Sequence, residues 1–133
     1  MAKTYMLDTD ICSYIIRSSP QSVIQKLWEH RHDDIRISAI TRAELLHGAR
    51  RRNSEKLTRQ VQAFTERWET VAFDALAADA YAEIFTDLEE RGTLIGNLDI
   101  QIAACARAAG AILVTNNQRH FSQVPGLTIE NWI

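Results

Sequence analysis

Beyond Lys56 the sequence contains no lysine, and its three lysines stand against twelve arginines. Chemistry that needs an ammonium group from the later half of the chain is thereby excluded. Cysteine is scarce too. Cys12 and Cys105 are isolated among apolar residues, which excludes a disulfide framework or a metal-type pair and marks both as reduced core thiols. His30, His32, His47 and His120 show no ligand-like spacing, so no zinc site is indicated. No apolar run approaches the length of a membrane span. The N-terminus lacks the basic-then-apolar pattern of a signal peptide, and a cytoplasmic protein is expected. Repeats, low-complexity tracts and long linkers are absent, and the two prolines, in Ser19-Pro20 and Pro125-Gly126, mark turns.

What is present describes one soluble domain with one core: 133 residues, 46% hydrophobic and 24% charged. A net charge of −2 argues against holding nucleic acid by bulk electrostatics, so any such partner needs a local basic patch. The run Arg50-Arg51-Arg52 is a weak candidate, since most such runs are solvated helix faces. Short β-type runs at 4–7, 35–39, 71–73, 111–114 and 127–130 alternate with helical patterns. Val23, Leu27 and Trp28 fit one helical face, as do Leu57, Val61, Phe64 and Trp68. Leu76, Ala80, Ile84 and Leu88 make a third, stopped at Gly92, and the alanine-rich stretch 98–109 makes a fourth, stopped at Gly110. The pattern predicts a single three-layer α/β/α domain over 1–133 with a central, mainly parallel, roughly five-stranded sheet.

Ligands of such sheets bind beyond the carboxyl ends of the strands. Asp8 and Asp10 follow the first run, Thr41 and Glu44 the second, Asp74 the third, and Thr115-Asn116-Asn117 the fourth. Asp99 opens the helix leading into the fourth. Each acid also has a purely structural reading. Asp8 or Asp10 could cap the helix near Ile11, with Asp10 the expected cap. Thr41-Arg42-Ala43-Glu44 fits a capping box, Asp74 reads as a cap, and Asp99 suits a helix dipole. If Asp8, Glu44 and Asp99 meet at one sheet edge, their repulsion favours proton uptake or a cation. Oxygen-only ligands suit Mg²⁺ or Mn²⁺. Such a centre could hold a scissile phosphate and acidify an attacking water.

Two rival readings deserve weighing. An apolar strand followed by Asp8-Thr9-Asp10 looks like the nucleophile motif of haloacid-dehalogenase-type phosphatases, with Asp8 phosphorylated and Asp10 as acid/base. That chemistry uses a late lysine and a late acidic pair, and neither exists here. A phospho-receiver with Asp74 as acceptor fails on the same lysine. A non-enzymatic α/β module explains each acid as a cap, but not why uncompensated acids recur at one edge.

A third reading rests on four ordered segments. Met6-Leu7-Asp8-Thr9-Asp10-Ile11, the stretch Ile37-Ser38 through Thr41, Glu44-Leu45 and Gly48, the stretch Gly92 through Ile95-Gly96, Asp99 and Ile102-Ala103, and Leu113-Val114-Thr115-Asn116-Asn117 with the closing Glu130-Asn131-Trp132 resemble the PIN-domain ribonucleases. The narrower resemblance is to the VapC-type toxins of bacterial toxin–antitoxin pairs. It implies that Asp8, Glu44 and Asp99 form a Mg²⁺ or Mn²⁺ site, Glu44 coinciding with the capping-box position. Thr115, Asn116, Asn117 and Asp10 would support water or phosphate. Many PIN domains carry a fourth acid where Asn117 stands, and these toxins usually have asparagine where Asp10 stands. The implied reaction is endoribonucleolytic attack of a metal-activated water, leaving a 5′-phosphate and a 3′-hydroxyl. The implied substrate is structured RNA, with initiator tRNA the first guess. A homodimer and a VapB-type antitoxin, whose C-terminal segment pushes a basic side chain toward the acids, are implied as well.

Overall fold

The computed structural model describes residues 3–133. Its sheet is built from β1 (Thr4–Leu7), β2 (Asp34–Ser38), β3 (Glu69–Val71), β4 (Ile112–Val114) and β5 (Ile129–Glu130), in the order β3-β2-β1-β4-β5. All four pairings are parallel. The chain runs outward from β1 through β2 to β3, then crosses back to β4 and β5 on the other side. The direction therefore reverses between β1 and β4, and a crevice opens there beyond the strand ends.

Seven helices among the described residues cover the sheet: α1 (Thr9–Arg17), α2 (Gln21–Glu29), α3 (Ala39–Arg51), α4 (Glu55–Arg67), α5 (Ala75–Glu90), α6 (Asn97–Ala108) and the short α7 (Gln118–Phe121). The strand pleat divides the core. Tyr5 and Leu7 of β1 point into one layer with Ile11, Ile15, Val23, Leu45 and Phe64, whereas Met6 points into the other with Ile84, Leu88, Ile100 and Leu113. Both faces of the central strand are thus buried, as an apolar run demands in a parallel sheet. Trp132 is fully buried and packs on Tyr5 and His30, tying the chain's end to the first strand.

Several boundaries differ from the sequence reading. The second strand ends at Ser38, because the Ser38 hydroxyl accepts from the Thr41 amide and starts α3 at Ala39. The third strand lies at 69–71 rather than 71–73, since Glu69 to Val71 are the residues in register with Arg36 to Ser38. The fourth and fifth strands are trimmed to Ile112–Val114 and Ile129–Glu130. Trp28 is not on the buried face of α2. It stands five residues after Val23, past the Val23–Leu27 stripe, and is 65% exposed beneath the Arg31 guanidinium. Trp68 terminates α4 as its C-cap. On α5 the buried row is Ala77, Ala80, Ile84 and Leu88, and Leu76 faces solvent. Both thiols are buried, which raises their pKa, that of Cys105 to about 11, as for unreactive core cysteines.

Candidate active site

β1 delivers Asp8 to the crevice, with its backbone N–H still bonded to the Val114 carbonyl at 3.0 Å. The Asp8 carboxylate accepts the Ile11 amide at 2.9 Å and so caps α1. This corrects the expectation for Asp10, which is an exposed member of the first helical turn rather than the cap. Asp8 is 5% exposed, and its pKa is pushed up to about 6. Burial is the main cause; the Asp10 and Asp99 charges add to it, while hydrogen bonds from Thr115 and Ile11 oppose it.

Glu44 comes from α3, but not through a capping box, because Ser38 occupies the cap and Thr41 is already helical. Its carboxylate is held from the first residue of α1 instead. Thr9 Oγ1 donates to Glu44 Oε1 at 2.6 Å and lies 3.2 Å from Thr41 Oγ1. Asp99 projects from the first turn of α6, half-buried. Burial raises its pKa, the Glu44 and Asp10 charges raise it further, and His120 opposes them. The α5 helix, capped by Asp74 through the Ala77 amide at 3.0 Å, supports α6 from outside the site.

Asp8, Asp10, Glu44 and Asp99 line one cleft of about 120 Å³, with Thr9 and Asn117 on its walls and Ile102 and Phe121 among its lining residues. Thr115 is fully buried behind Asp8, and its hydroxyl accepts the Asn117 amide at 2.9 Å, shaping the turn after β4. Asn116 is not brought in. It is exposed and accepts from Asn131 at 3.2 Å. The three arginines are exposed and diverge. Arg52 reaches a second groove of about 250 Å³ that shares Thr9 and Glu44 with the cleft, is walled by Ile16, Leu45 and Val61, and also carries Arg17. Arg50 lines a separate depression at the α3–α4 turn, and Arg51 lines neither.

The donor set is all oxygen, four carboxylates with one amide beside them, which fits a hard divalent cation. The upward pKa shifts of Asp8 and Asp99 come first from burial and then from the neighbouring carboxylate charges. The carboxylates line the cleft without converging on one point: among the described residues no three His, Cys, Asp or Glu side chains form a preassembled metal cage. That arrangement suits a hydrated divalent cation that takes few direct protein ligands.

Sequence reasoning overlooked Thr9 and the rim residue His120. Thr9 was visible between two acids, but its partner lies 35 positions away. Residues 5–127 match the PIN domain family.

The chain belongs to that family, among the VapC ribonucleases.

Over 130 residues it is 40% identical to Ribonuclease VapC2 of Rickettsia felis, covering 96% of this chain and 97% of that protein. It is 36% identical to the tRNA(fMet)-specific endonuclease VapC of Shigella flexneri, with the same coverage. The fold superposes with a TM-score of 0.91 on the crystal structure of Rickettsia felis VapBC2 bound to a promoter DNA fragment, at 39% identity over 98% of this chain and 99% of that one. The DNA-bound VapBC of Salmonella typhimurium matches at a TM-score of 0.86 and 34% identity over the whole of both chains. The PIN fold, with its five parallel strands between helical layers, is thus established. Among the described residues no helix is long and apolar enough to cross a membrane.

Proposed function

We propose that the protein is the toxin of a toxin–antitoxin pair, a Mg²⁺- or Mn²⁺-dependent endoribonuclease whose substrate is tRNA, initiator tRNA first. The observation that carries this reading is that Asp8, Glu44 and Asp99, from the end of β1, from α3 and from α6, line one small cleft at the sheet's switch point. The name of the Shigella flexneri relative supports the substrate, and the VapBC complexes among the similar structures support a VapB-type antitoxin.

Asp8 and Asp99 are the principal cation ligands, with Glu44 binding directly or through water. A divalent cation held there supplies charge neutralisation at the phosphate and a more acidic water. The Thr9 hydroxyl fixes the Glu44 carboxylate so that it can accept a proton from the attacking water. Asn117, which also lines the cleft, offers an uncharged amide to phosphate or water, and buried Thr115 holds Asp8 and the Asn117 backbone in place. Asp10 contributes negative charge at the mouth. Arg52 and Arg17, in the adjoining groove, counter the acidic centre for a polyanion. An antitoxin segment lying in that groove would bring a cation to the same carboxylates. Leu94 and Leu98, exposed just before and at the start of α6, offer apolar surface that a homodimer would bury.

Incubating the protein with total tRNA in Mg²⁺, Mn²⁺ or chelator tests the reading. Cleavage with 5′-phosphate ends that chelator abolishes supports it, and chelator-insensitive cleavage overturns the mechanism.

A further inference from the structure

One imidazole at the rim of the cleft has no part in the roles above. His120 is exposed on α7, and its Nδ1 lies 2.9 Å from Nδ2 of Asn117. Asn117 itself lines the cleft, so the ring is fastened to the cleft wall by a cleft residue. His120 also opposes the upward pull that Glu44 and Asp10 exert on Asp99, so its charge reaches the acids. Every ionisable side chain lining the cleft is a carboxylate. His120 sets beside them an imidazole, which can carry a proton on either ring nitrogen.

Its partner matters. A carboxylate beside Nδ1 would favour the charged ring and hold its proton. An amide accommodates both states: its N–H donates to Nδ1 of the neutral Nε2–H tautomer, and after a turn of the amide its carbonyl oxygen accepts the Nδ1 proton of the charged ring, before and after Nε2 gives up its own. The Asn117 contact engages Nδ1, and among the described residues Nε2 has no hydrogen-bond partner. Hydrolysis to a 3′-hydroxyl needs such a group, because the departing 3′ oxygen is a strong base unless it is protonated as the bond breaks.

We propose that His120 is the general acid of the reaction, protonating the leaving 3′ oxygen from Nε2; this rests on the nuclease reading above. The attacking water forms the new P–O bond and gives its proton to the Glu44 carboxylate. The P–O3′ bond breaks, its electron pair stays on the 3′ oxygen, and that oxygen takes the imidazolium proton. Solvent then returns a proton to His120 and removes one from Glu44, so one water is consumed in total.

The test uses an RNA oligonucleotide that the full-length protein cleaves, with the position mapped first. It is compared with the same oligonucleotide carrying sulfur in place of the bridging 3′ oxygen there, both in Mn²⁺. A thiolate leaves without protonation. On the oxygen substrate His120→Ala and His120→Gln are expected to lower kcat by about 10²-fold or more, with KM nearly unchanged. On the sulfur substrate both are expected within a few-fold of wild type. His120→Gln keeps a polar partner for Asn117, and circular dichroism checks that each variant is folded. Full activity of the variants on the oxygen substrate overturns the proposal. So does an equal loss on both substrates, which marks a positioning role. Failure of the wild type to cleave any RNA instead overturns the nuclease reading itself, and this proposal with it.

Discussion

Thr9 Oγ1 donates a 2.6 Å hydrogen bond to Glu44 Oε1, joining the first residue of α1 to the middle of α3. The bond sets the direction of a carboxylate that sits on a helix flank and, among the described residues, has no other side-chain donor. Thr9→Val keeps the shape and removes the donor. Losing a hydrogen bond to a charged group is worth about 1.5–3 kcal/mol, so single-turnover RNA cleavage is expected to fall about ten- to hundredfold. Thr9→Ser is expected to restore most of it. Equal activity of Thr9→Val and wild type would show that the bond does not position Glu44.

Asp8 makes the apoprotein's stability depend on pH. Its folded pKa is about 6 against an ordinary 3.8, so the folded state binds this proton more tightly than the unfolded state. The associated stability is present below about pH 4 and is lost as pH rises through about 6. The shift corresponds to about 3 kcal/mol at most. In chelator at pH 7.5, Asp8→Asn is therefore expected to be more stable than wild type in urea denaturation, while the same comparison near pH 4 shows little difference. An advantage independent of pH would contradict the assignment.

Divalent cations should reverse that penalty. At a hundredfold excess over Kd, Mg²⁺ or Mn²⁺ is expected to stabilise the wild type by about 2.7 kcal/mol, read as a rise in Tm or urea midpoint. Asp8→Asn and Asp99→Asn should lose most of this gain, because each removes a ligand from the cleft. Undiminished stabilisation in both variants would place the cation elsewhere.

Among the three consecutive arginines, position separates the roles. Arg52 shares a groove with Glu44 and Arg51 does not. Arg52→Ala is expected to weaken RNA binding several-fold and to reduce the magnitude of the salt-dependence slope by about one, as for loss of one phosphate contact. Arg51→Ala is expected to do less. Fluorescence anisotropy across a salt series, with an inactive Asp99→Asn background, measures both.

Leu98 is 48% exposed at the start of α6, and Leu94 is 52% exposed just before it. Burial of such residues between protomers would be opposed by a charge. On the proposed homodimer, light scattering is expected to give a dimer for the wild type and a monomer for Leu98→Asp. A variant that remains dimeric would move the interface to another face.

Local patterns account for much of the site. An apolar strand ending in an acid is legible at Asp8, because burial of a parallel strand requires the run and the polar residue marks its exit. Glycines at 92 and 110 were readable as helix stops, and both adopt positive φ, at 68° and 65°. Where two residues offered the same local chemistry, the pattern could not choose. Asp8 and Asp10 are equally good caps on paper, and only the backbone geometry at the strand exit gave the cap to Asp8. Thr41 and Glu44 fitted a capping box, but Ser38 began the helix one turn earlier. Trp28 fitted an apolar stripe, and the packing of α2 left it outside.

By itself, then, the sequence determined the alternation of strands and helices and the acids at strand ends, since these follow from short-range periodicity and burial. Its ordered motifs also determined the family. The tertiary structure decided which acids share a cleft, that Asn116 turns away while Asn117 turns in, that Thr9 holds Glu44, and that His120 stands at the rim. Those relations join residues far apart along the chain across the reversal between β1 and β4. No local propensity encodes such a meeting; it exists only once the sheet order β3-β2-β1-β4-β5 has formed.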